Sequence, residues 1–260
     1  PKFPLKLYSH QVGGHTPFFW ISDKALCKPL NNNERDFYEL INKYHHDLNK
    51  FLPKYYGVVI LKVKKHDNNA LKKFIVIEDL TRGFKKPCVL DLKMGTRQHG
   101  VFATKKKRLS QERKCELTTS KSIGVRMCGM QVYKTSTDTT IFHNKYQGRN
   151  VSKERFSHEI LSFFDNGEKL LVHYIPDIII QLKELYSIVK NLKTFRLYSS
   201  SLLLYYDGAW DTKNDTEIHC KKREQYNSEK YNSNDYVTVS CPPSHPNEPD
   251  LGYLFGLKNL

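Results

Sequence analysis

The sequence predicts an α+β fold of antiparallel sheets with helices, in one large domain or two lobes. Three observations lead there. Short apolar or alternating runs fall in neighbouring pairs across tight turns, as at 18–21 with 25–27 and at 125–133 with 140–143. Helical periodicity is confined to separate stretches, 34–49, 153–165 and 170–192. A length of 260 residues with 39% hydrophobic and 12% aromatic side chains supplies a substantial core.

Charge bounds the partners. With 42 Lys and Arg against 27 Asp and Glu, the net charge of +15 implies an anionic partner: nucleic acid, an anionic membrane surface or a small polyanion. No Arg-Gly repeat, zinc-finger spacing or helix-turn-helix pattern favours the first. The six cysteines (27, 88, 115, 128, 220, 241) form no C-x-x-C pair and read as free, buried thiols of a reducing compartment. No stretch approaches the ~20 apolar residues that span a bilayer. No signal-peptide pattern opens the sequence, which starts at Pro1, so cytoplasm or nucleus is the default.

In order, residues 1–30 read as strands around the turn His10-Gln11-Val12-Gly13-Gly14-His15, whose glycines suit either a hairpin or a close approach of backbone N–H groups to a ligand. Lys28 ends an apolar strand. Asn33 is the expected cap of helix 34–49, with Phe37, Leu40, Ile41, Tyr44 and Leu48 inward. Strands follow at 56–63 and 74–77, separated by a charged loop at 64–73. The second strand runs into Glu78-Asp79-Leu80. A helix is expected over 109–117, which would bring Lys106 and Arg113 together across two turns. Met127 and Met130 read as core fillers of strand 124–133, and 145–149 as a turn. Pro176 suits the first turn of the long helix 170–192. An apolar strand spans 195–206, and Asp207-Gly208 ends it in a turn. Residues 209–235 are polar enough for an insertion, 237–240 resembles a strand, 242–247 a rigid linker and 251–260 a helix.

The chemistry centres on residues 87–100, PCVLDLKMGTRQHG. On a strand of period two, Asp91 and Lys93 share one face, about 6–7 Å apart, while Leu90 and Leu92 face the core. A carboxylate that can orient a hydroxyl or help hold a metal then sits beside an ammonium that can neutralise a phosphoryl oxygen, which suits phosphoryl transfer. A surface ion pair before a turn is the plain alternative. The basic run Lys105-Lys106-Lys107-Arg108, followed by Arg113-Lys114, reads either as a solvated face, a nuclear-import patch or an anchor for a polyanion.

The 87–100 stretch resembles the P-x-x-x-D-x-K-x-G signature of the inositol polyphosphate kinase family, and the run through Gly95-Thr96-Arg97-Gln98 is most similar to its inositol hexakisphosphate kinases. Further matches lie at His10 to His15, Leu26-Cys27-Lys28-Pro29-Leu30, Glu78-Asp79-Leu80, 118–133, the K-Y-x-G-R of 145–149, Ser201-Leu202-Leu203 and Tyr206-Asp207-Gly208. The resemblance implies a two-lobed fold, protein-kinase-like or ATP-grasp-like, with ATP in the interlobe cleft. It implies an N-terminal lobe over 1–80 and a C-terminal lobe over 81–260 carrying the signature, the basic segment 97–114, the helices of 153–192 and the insertion at 209–235. Lys28 would pair the nucleotide phosphates, positioned by Glu39, with Glu34 and Asp36 as competitors. Backbone groups of Glu78 and Leu80 would meet adenine, Asp79 the ribose, and Ser201 the nucleotide and metal side. Asp91 and Lys93 would be catalytic. Lys93, Arg97, Lys105, Lys106, Lys107, Arg108 and Lys114 would bind the substrate.

The family's Ile-Asp-Phe triplet, whose Asp holds the metal, is not found. Either it lies outside this sequence, or Asp235 or Asp207 replaces it, or the chain is inactive. The expected activity is transfer of the γ-phosphate of ATP, with Mg²⁺, to inositol hexakisphosphate, giving a diphosphate. A multikinase acting on ring hydroxyls and a non-catalytic polyanion-binding module are the alternatives. The expected partner is a small polyanion; nucleic acid is not expected, since little beyond charge supports it, no membrane span is expected, and a monomer is the default.

Overall fold

The computed structural model describes residues 5–14, 16–65, 68–100, 102–193, 195–209, 219–223 and 247–260. The short strands β1 (Lys6–Leu7), β2 (Phe19–Trp20) and β3 (Ala25–Pro29) are followed by helices α1 (Asn32–Tyr44) and α2 (His46–Asn49) and by the hairpin β4 (Tyr55–Lys65) and β5 (Asn68–Glu78). Among the described residues these five strands form one antiparallel sheet in the order β1-β2-β3-β5-β4.

The helix begins earlier than Asn33 because Asn31 is the cap, its side chain accepting from the Asn33 N–H at 3.1 Å. Phe37, Tyr38 and Ile41 are buried with Glu34 on one stripe, and the helix breaks at His45, whose N–H closes on the Ile41 carbonyl. Of the expected charged loop at 64–73, residues 64–65 and 68–73 are strand instead. Hairpin pairing carries β4 and β5 through it, and the lysines at 72 and 73 stay exposed on the β5 ladder.

The second sheet is built from β6 (Pro87–Met94), β7 (Val125–Lys134), β8 (Thr139–His143), β9 (Ser201–Asp207) and β10 (His219–Arg223), in the order β10-β9-β6-β7-β8. Its central strand, β6, is buried along its whole length. Cys88, Leu90, Leu92 and Met94 enter the main core with Met127, Met130, Leu202 and Leu204, so the two methionines are core fillers as read. The even face of β6 is therefore core and its odd face looks toward the other lobe. The free thiols of Cys27 and Cys88 are buried, and that burial pushes both up to about 11.

Around this sheet pack α3 (Lys105–Glu116), α4 (Thr119–Ile123), α5 (Lys145–Arg149), α6 (Lys153–Phe163), α7 (Ile175–Asn191) and α8 (Leu251–Lys258). Pro176 stands in the first turn of α7, as expected. Residues 145–149 are a helix rather than a turn, because Asn144 and Gln147 make a reciprocal capping box. Gly124 ends α4 with φ +71°, and a Cβ there would meet the Gly256 N at 2.6 Å, so α8 lies directly on the start of β7. The structure is thus α+β with two lobes, one per sheet. Among the described residues no helix is long and apolar enough to cross a membrane.

Candidate active site

The odd face of β6 organises the site. Val89 lines a narrow apolar slot with Leu26, Ile77, Leu80, Leu203 and Tyr205, and Glu78 stands at its edge. Two residues on, Asp91 is fully buried, and neither carboxylate oxygen has a hydrogen-bond partner among the described residues. Two further, Lys93 lines a second, polar cavity of about 520 Å³. One strand face therefore runs from an apolar slot, past a bare carboxylate, to a cationic chamber. Asp91 and Lys93 share that face as the period-two reading expects, but they are buried, which removes the surface ion-pair alternative.

Lys93 is held at the floor of the chamber. Its ammonium donates to the Ser199 carbonyl at 2.6 Å and to Ser201 Oγ at 3.3 Å. Ser201 is fully buried and faces Lys93 across the β6–β9 ladder, so the structure places it as the lysine's support rather than as an open contact for a nucleotide.

Lys28 also lines the chamber, with its Nζ 5.0 Å from the Phe18 ring centroid. Its carboxylate partner is Glu34, not Glu39. The reason is helical phase: Glu34 lies on the buried stripe of α1 with Phe37, Tyr38 and Ile41, and Glu39 falls on the exposed side, where it accepts from the Tyr55 hydroxyl at 3.1 Å.

The glycine turn closes over β6. A Cβ on Gly13 would overlap Asp91 Oδ2, and one on Gly129 would overlap the Val12 carbonyl oxygen. Both are glycines of close approach, one on each surface of the same contact. His15 lies outside the described residues.

At the hinge between lobes, the Glu78 N–H donates to the Lys54 carbonyl (2.9 Å) and the Asp79 N–H to the Lys24 carbonyl (3.0 Å). Asp79 does not reach outward as expected of a ribose ligand. Its Oδ2 accepts from Trp20 Nε1 (2.8 Å) and its Oδ1 from the Thr81 N–H (2.9 Å) and hydroxyl (2.8 Å), a clamp that ties β2 to the segment after β5.

Seven cationic side chains, Lys28, Lys93, Lys107, Lys114, Arg126, Lys145 and Arg149, line the chamber against one carboxylate, Glu34. The basic run contributes through one helical stripe only. α3 starts at Lys105 because Thr104 caps it, and that phase turns Lys107, Gln111 and Lys114 inward. Lys105, Lys106 and Arg108 do not line the chamber, and Arg108 lies 3.7 Å from Glu112 on the helix surface. Arg97 folds back on the chain: it donates to the His99 carbonyl (3.0 Å) and the Tyr198 hydroxyl (3.2 Å) and stacks on the Tyr198 ring. Arg126, Lys145 and Arg149 were not among the expected ligands. A lone Arg in the apolar run Val125-Arg126-Met127, and Lys and Arg four apart after a capping Asn, are the signals that point to them.

For a divalent cation, hard oxygen donors are needed, and one or two carboxylates suffice beside phosphate oxygens and water. Asp91 fits that requirement. Asp207 does not: its oxygens accept from the N–H groups of Lys85 (2.8 Å), Lys86 (2.9 Å) and Ala209 (3.1 Å), and it pairs with Pro87, six residues or ~20 Å along β6 from Lys93. Asp235 lies outside the described residues. Among those residues no three His, Cys, Asp or Glu side chains cluster as a metal site.

Residues 74–260 match the family model of inositol polyphosphate kinases. The chain is 41% identical over 209 residues to an uncharacterized inositol polyphosphate kinase of Schizosaccharomyces pombe, covering 74% of this chain and 22% of the relative. It is 39% identical over 240 residues to inositol hexakisphosphate kinase 1 of Saccharomyces cerevisiae, covering 86% and 21%. To inositol hexakisphosphate kinase 2 of Mus musculus the identity is 47% over 144 residues, covering 55% and 32%. The aligned stretches thus amount to about a third or less of these relatives' lengths. A crystal structure of inositol phosphate multikinase from S. cerevisiae, in complex with ADP and Mn²⁺, superposes with a TM-score of 0.72 at 24% identity, covering 91% of this chain and 96% of that one.

Proposed function

The chain belongs to the inositol polyphosphate kinase family, and on that premise we propose that it transfers the γ-phosphate of ATP to inositol hexakisphosphate, forming a diphosphate. The observation that carries this reading is the chamber itself. Seven cations against one carboxylate, in about 520 Å³, suit a compact polyanion far better than a neutral sugar or a peptide. Relatives named as hexakisphosphate kinases support the choice of acceptor.

In this reading adenine enters the apolar slot beside Val89 and Leu203, with backbone groups of Glu78 and Leu80 at its edge. Lys28, braced by Glu34, holds the phosphate chain where it emerges into the chamber. The turn over Gly13 covers that passage and keeps water from the reacting centre. An ionised phosphate oxygen of the acceptor attacks the γ-phosphorus, the bond from phosphorus to the β,γ-bridging oxygen breaks, and ADP leaves with that electron pair. No proton has to be removed from such an acceptor. Lys93, fixed by Ser199 and Ser201, neutralises the charge on the transferring group, and Lys107, Lys114, Arg126, Lys145 and Arg149 offset the repulsion between two polyanions. A divalent cation, Mg²⁺ in this proposal, would add further screening of the phosphate oxygens, with Asp91 as its protein ligand.

A second reading rests on Asp91. A buried carboxylate with both oxygens unpartnered is suited to accept a proton from a ring hydroxyl, which a multikinase acting on less phosphorylated inositols requires. Labelled γ-phosphate from ATP, offered with Mg²⁺ to inositol hexakisphosphate and to a trisphosphate in parallel, separates the two. A product more acidic than hexakisphosphate is expected. Transfer to the trisphosphate alone would move the assignment to hydroxyl phosphorylation, and transfer to neither would make the chamber a binding site only.

A further inference from the structure

β4 is the outer strand of the first sheet, and among the described residues no strand pairs with its free side. Its inner side follows β5 in unbroken register from Gly57 opposite Val76 to Lys65 opposite Asn68. β3 covers the far side of β5 only from Phe74 to Glu78, with one further bond from the Leu30 N–H to the Lys73 carbonyl. Outward of Lys73 the hairpin is therefore a ribbon of two strands among the described residues, and such ribbons are marginally stable by themselves.

One face of the hairpin loses its cover as it leaves the lobe. Val58 stands opposite Ile75, Ile60 opposite Lys73 and Lys62 opposite Leu71, all on one face because the ladder has a period of two. Ile75 is fully buried in the main core that also takes Phe37, Tyr38 and Ile41 of α1. Val58, Ile60 and Leu71 are 38%, 60% and 74% exposed. Neighbouring aliphatic side chains on an open strand edge are a template for another strand unless something guards them.

The guard here is charge of one sign. Residues 58–73 hold five lysines against one acid, Asp67, and Lys62, Lys72 and Lys73 are exposed. A second copy is excluded by this charge, because β4 laid against β4 would bring together two lysine-rich ribbons of a chain of net charge +15. An anionic bilayer is a poorer fit, because the sequence of the hairpin's tip, Lys64 to Asn69, has no apolar side chain to insert. An acidic strand meets neither obstacle.

We propose that the free edge of β4 receives an extended acidic segment of a partner protein, added to the first sheet as a further strand. Main-chain bonds along residues 57–63 supply the affinity, and β-branched side chains of the segment cover Val58 and Ile60. Asp or Glu at its outer end meets Lys62, with Lys72 and Lys73 one strand further in. None of these residues lines the slot or the chamber, so the surface stands apart from the transfer reading.

The test uses the full chain and a labelled peptide, Glu-Glu-Val-Thr-Val-Thr-Val-Glu-Glu, whose two acidic ends allow either strand direction. Its counterpart with lysine in place of glutamate and a form N-methylated at alternate amides are the controls, and affinity is read by fluorescence anisotropy. Wild type should bind the acidic peptide at least tenfold more tightly than either control, with hydrogen exchange slowed over residues 57–63. Lys62→Glu with Lys73→Glu should reverse the preference toward the lysine peptide while ADP affinity stays within twofold. The chamber's cations, which could hold any acidic probe, are untouched by that change. An undiminished preference for the acidic peptide in the double variant places the probe elsewhere and overturns the proposal. Equal binding of the N-methylated form overturns it too, since no strand is then added; that comparison uses wild type and stands even if the variant does not fold. Wild type that ignores the acidic peptide but sediments with phosphatidylserine vesicles, in a manner lost in the double variant, would make the hairpin a membrane contact instead.

Discussion

Replacing Glu34 tests the assignment of the Lys28 partner and the electrostatics of the chamber together. The side chains of Lys28 and Glu34 are 6% and 4% exposed, so the pair belongs with buried ion pairs rather than with surface pairs, which contribute ~0–1 kcal/mol. Glu34→Ala takes the carboxylate away from a buried ammonium, a change that costs roughly 3–5 kcal/mol in comparable sites. Because Lys28 borders a cavity that water can enter, the lower end, about 3 kcal/mol, is expected. Removing both charges as Lys28→Met with Glu34→Leu should recover most of that loss, since a well-packed apolar pair can replace a buried ion pair at little cost. Glu39→Ala should cost only about 0.5–1.5 kcal/mol, the value of its bond from Tyr55. Urea denaturation of the three variants, followed by circular dichroism, measures all of these. A loss below about 1 kcal/mol in Glu34→Ala, or a double variant as unstable as the single, would refute the reasoning. A Glu39 variant that destabilises more than the Glu34 variant would reverse the assignment. The double variant, even if stable, should lose ATP binding, because the lysine itself is gone.

Other outcomes follow from the same geometry. Lys93→Ala should lower kcat by roughly 10²–10³ with a smaller effect on KM, the usual scale for one fixed charge at a reacting centre; near-normal turnover in steady-state assays would remove Lys93 from the mechanism. Gly129→Ala drives a methyl into the Val12 carbonyl and should lift the glycine turn from Asp91, raising KM for ATP at least tenfold while costing about 1–3 kcal/mol of stability; an unchanged KM would show that the turn takes no part in nucleotide binding. Stability should also depend on pH. Burial lowers His45 and His99 below the ordinary value of 6.5, with the charge of Arg97 adding to the effect on His99. The unfolded chain therefore binds protons first, so stability is fully present above pH 6.5 and falls as pH drops through that value toward the folded pKa values. Urea midpoints between pH 7.5 and 5 should show the fall, and a His99→Asn variant should flatten it; a steeper slope in that variant would contradict the sign.

The fold was legible where side-chain period and burial agree. Helix α7, with Pro176 in its first turn, and the β7–β8 hairpin follow from local pattern alone. The outer part of the β4–β5 hairpin did not, since a run of lysines mimics a loop while the ladder, not the side chains, decides the backbone. Caps shifted phase as well as boundaries. α3 starts at Lys105 instead of 109, and of the expected basic ligands on it only Lys107 and Lys114 turn into the chamber, while Lys105, Lys106 and Arg108 do not. With Leu109 and Cys115 as its only apolar residues, the helix has no hydrophobic stripe from which to read that phase.

The site divides along the same line. β6 announces itself because both Asp91 and Lys93 lie in one strand, within one motif, on one face. The chamber does not, because its wall is assembled from β3, α3, β7 and α5, and each contributes only one or two charges. Arg126 and Arg149 are 23 residues apart in sequence and meet only because Gly148 lets a helix touch a strand. Their strongest local signal was a charge where burial forbids one, as in Val125-Arg126-Met127. Such a residue breaks the pattern that folds the chain, and its position is intelligible once an anion is admitted as part of the structure it serves. In a basic chain, then, the exposed Lys105-Lys106 run is the less informative feature, and the isolated arginine in an apolar strand is the more informative one.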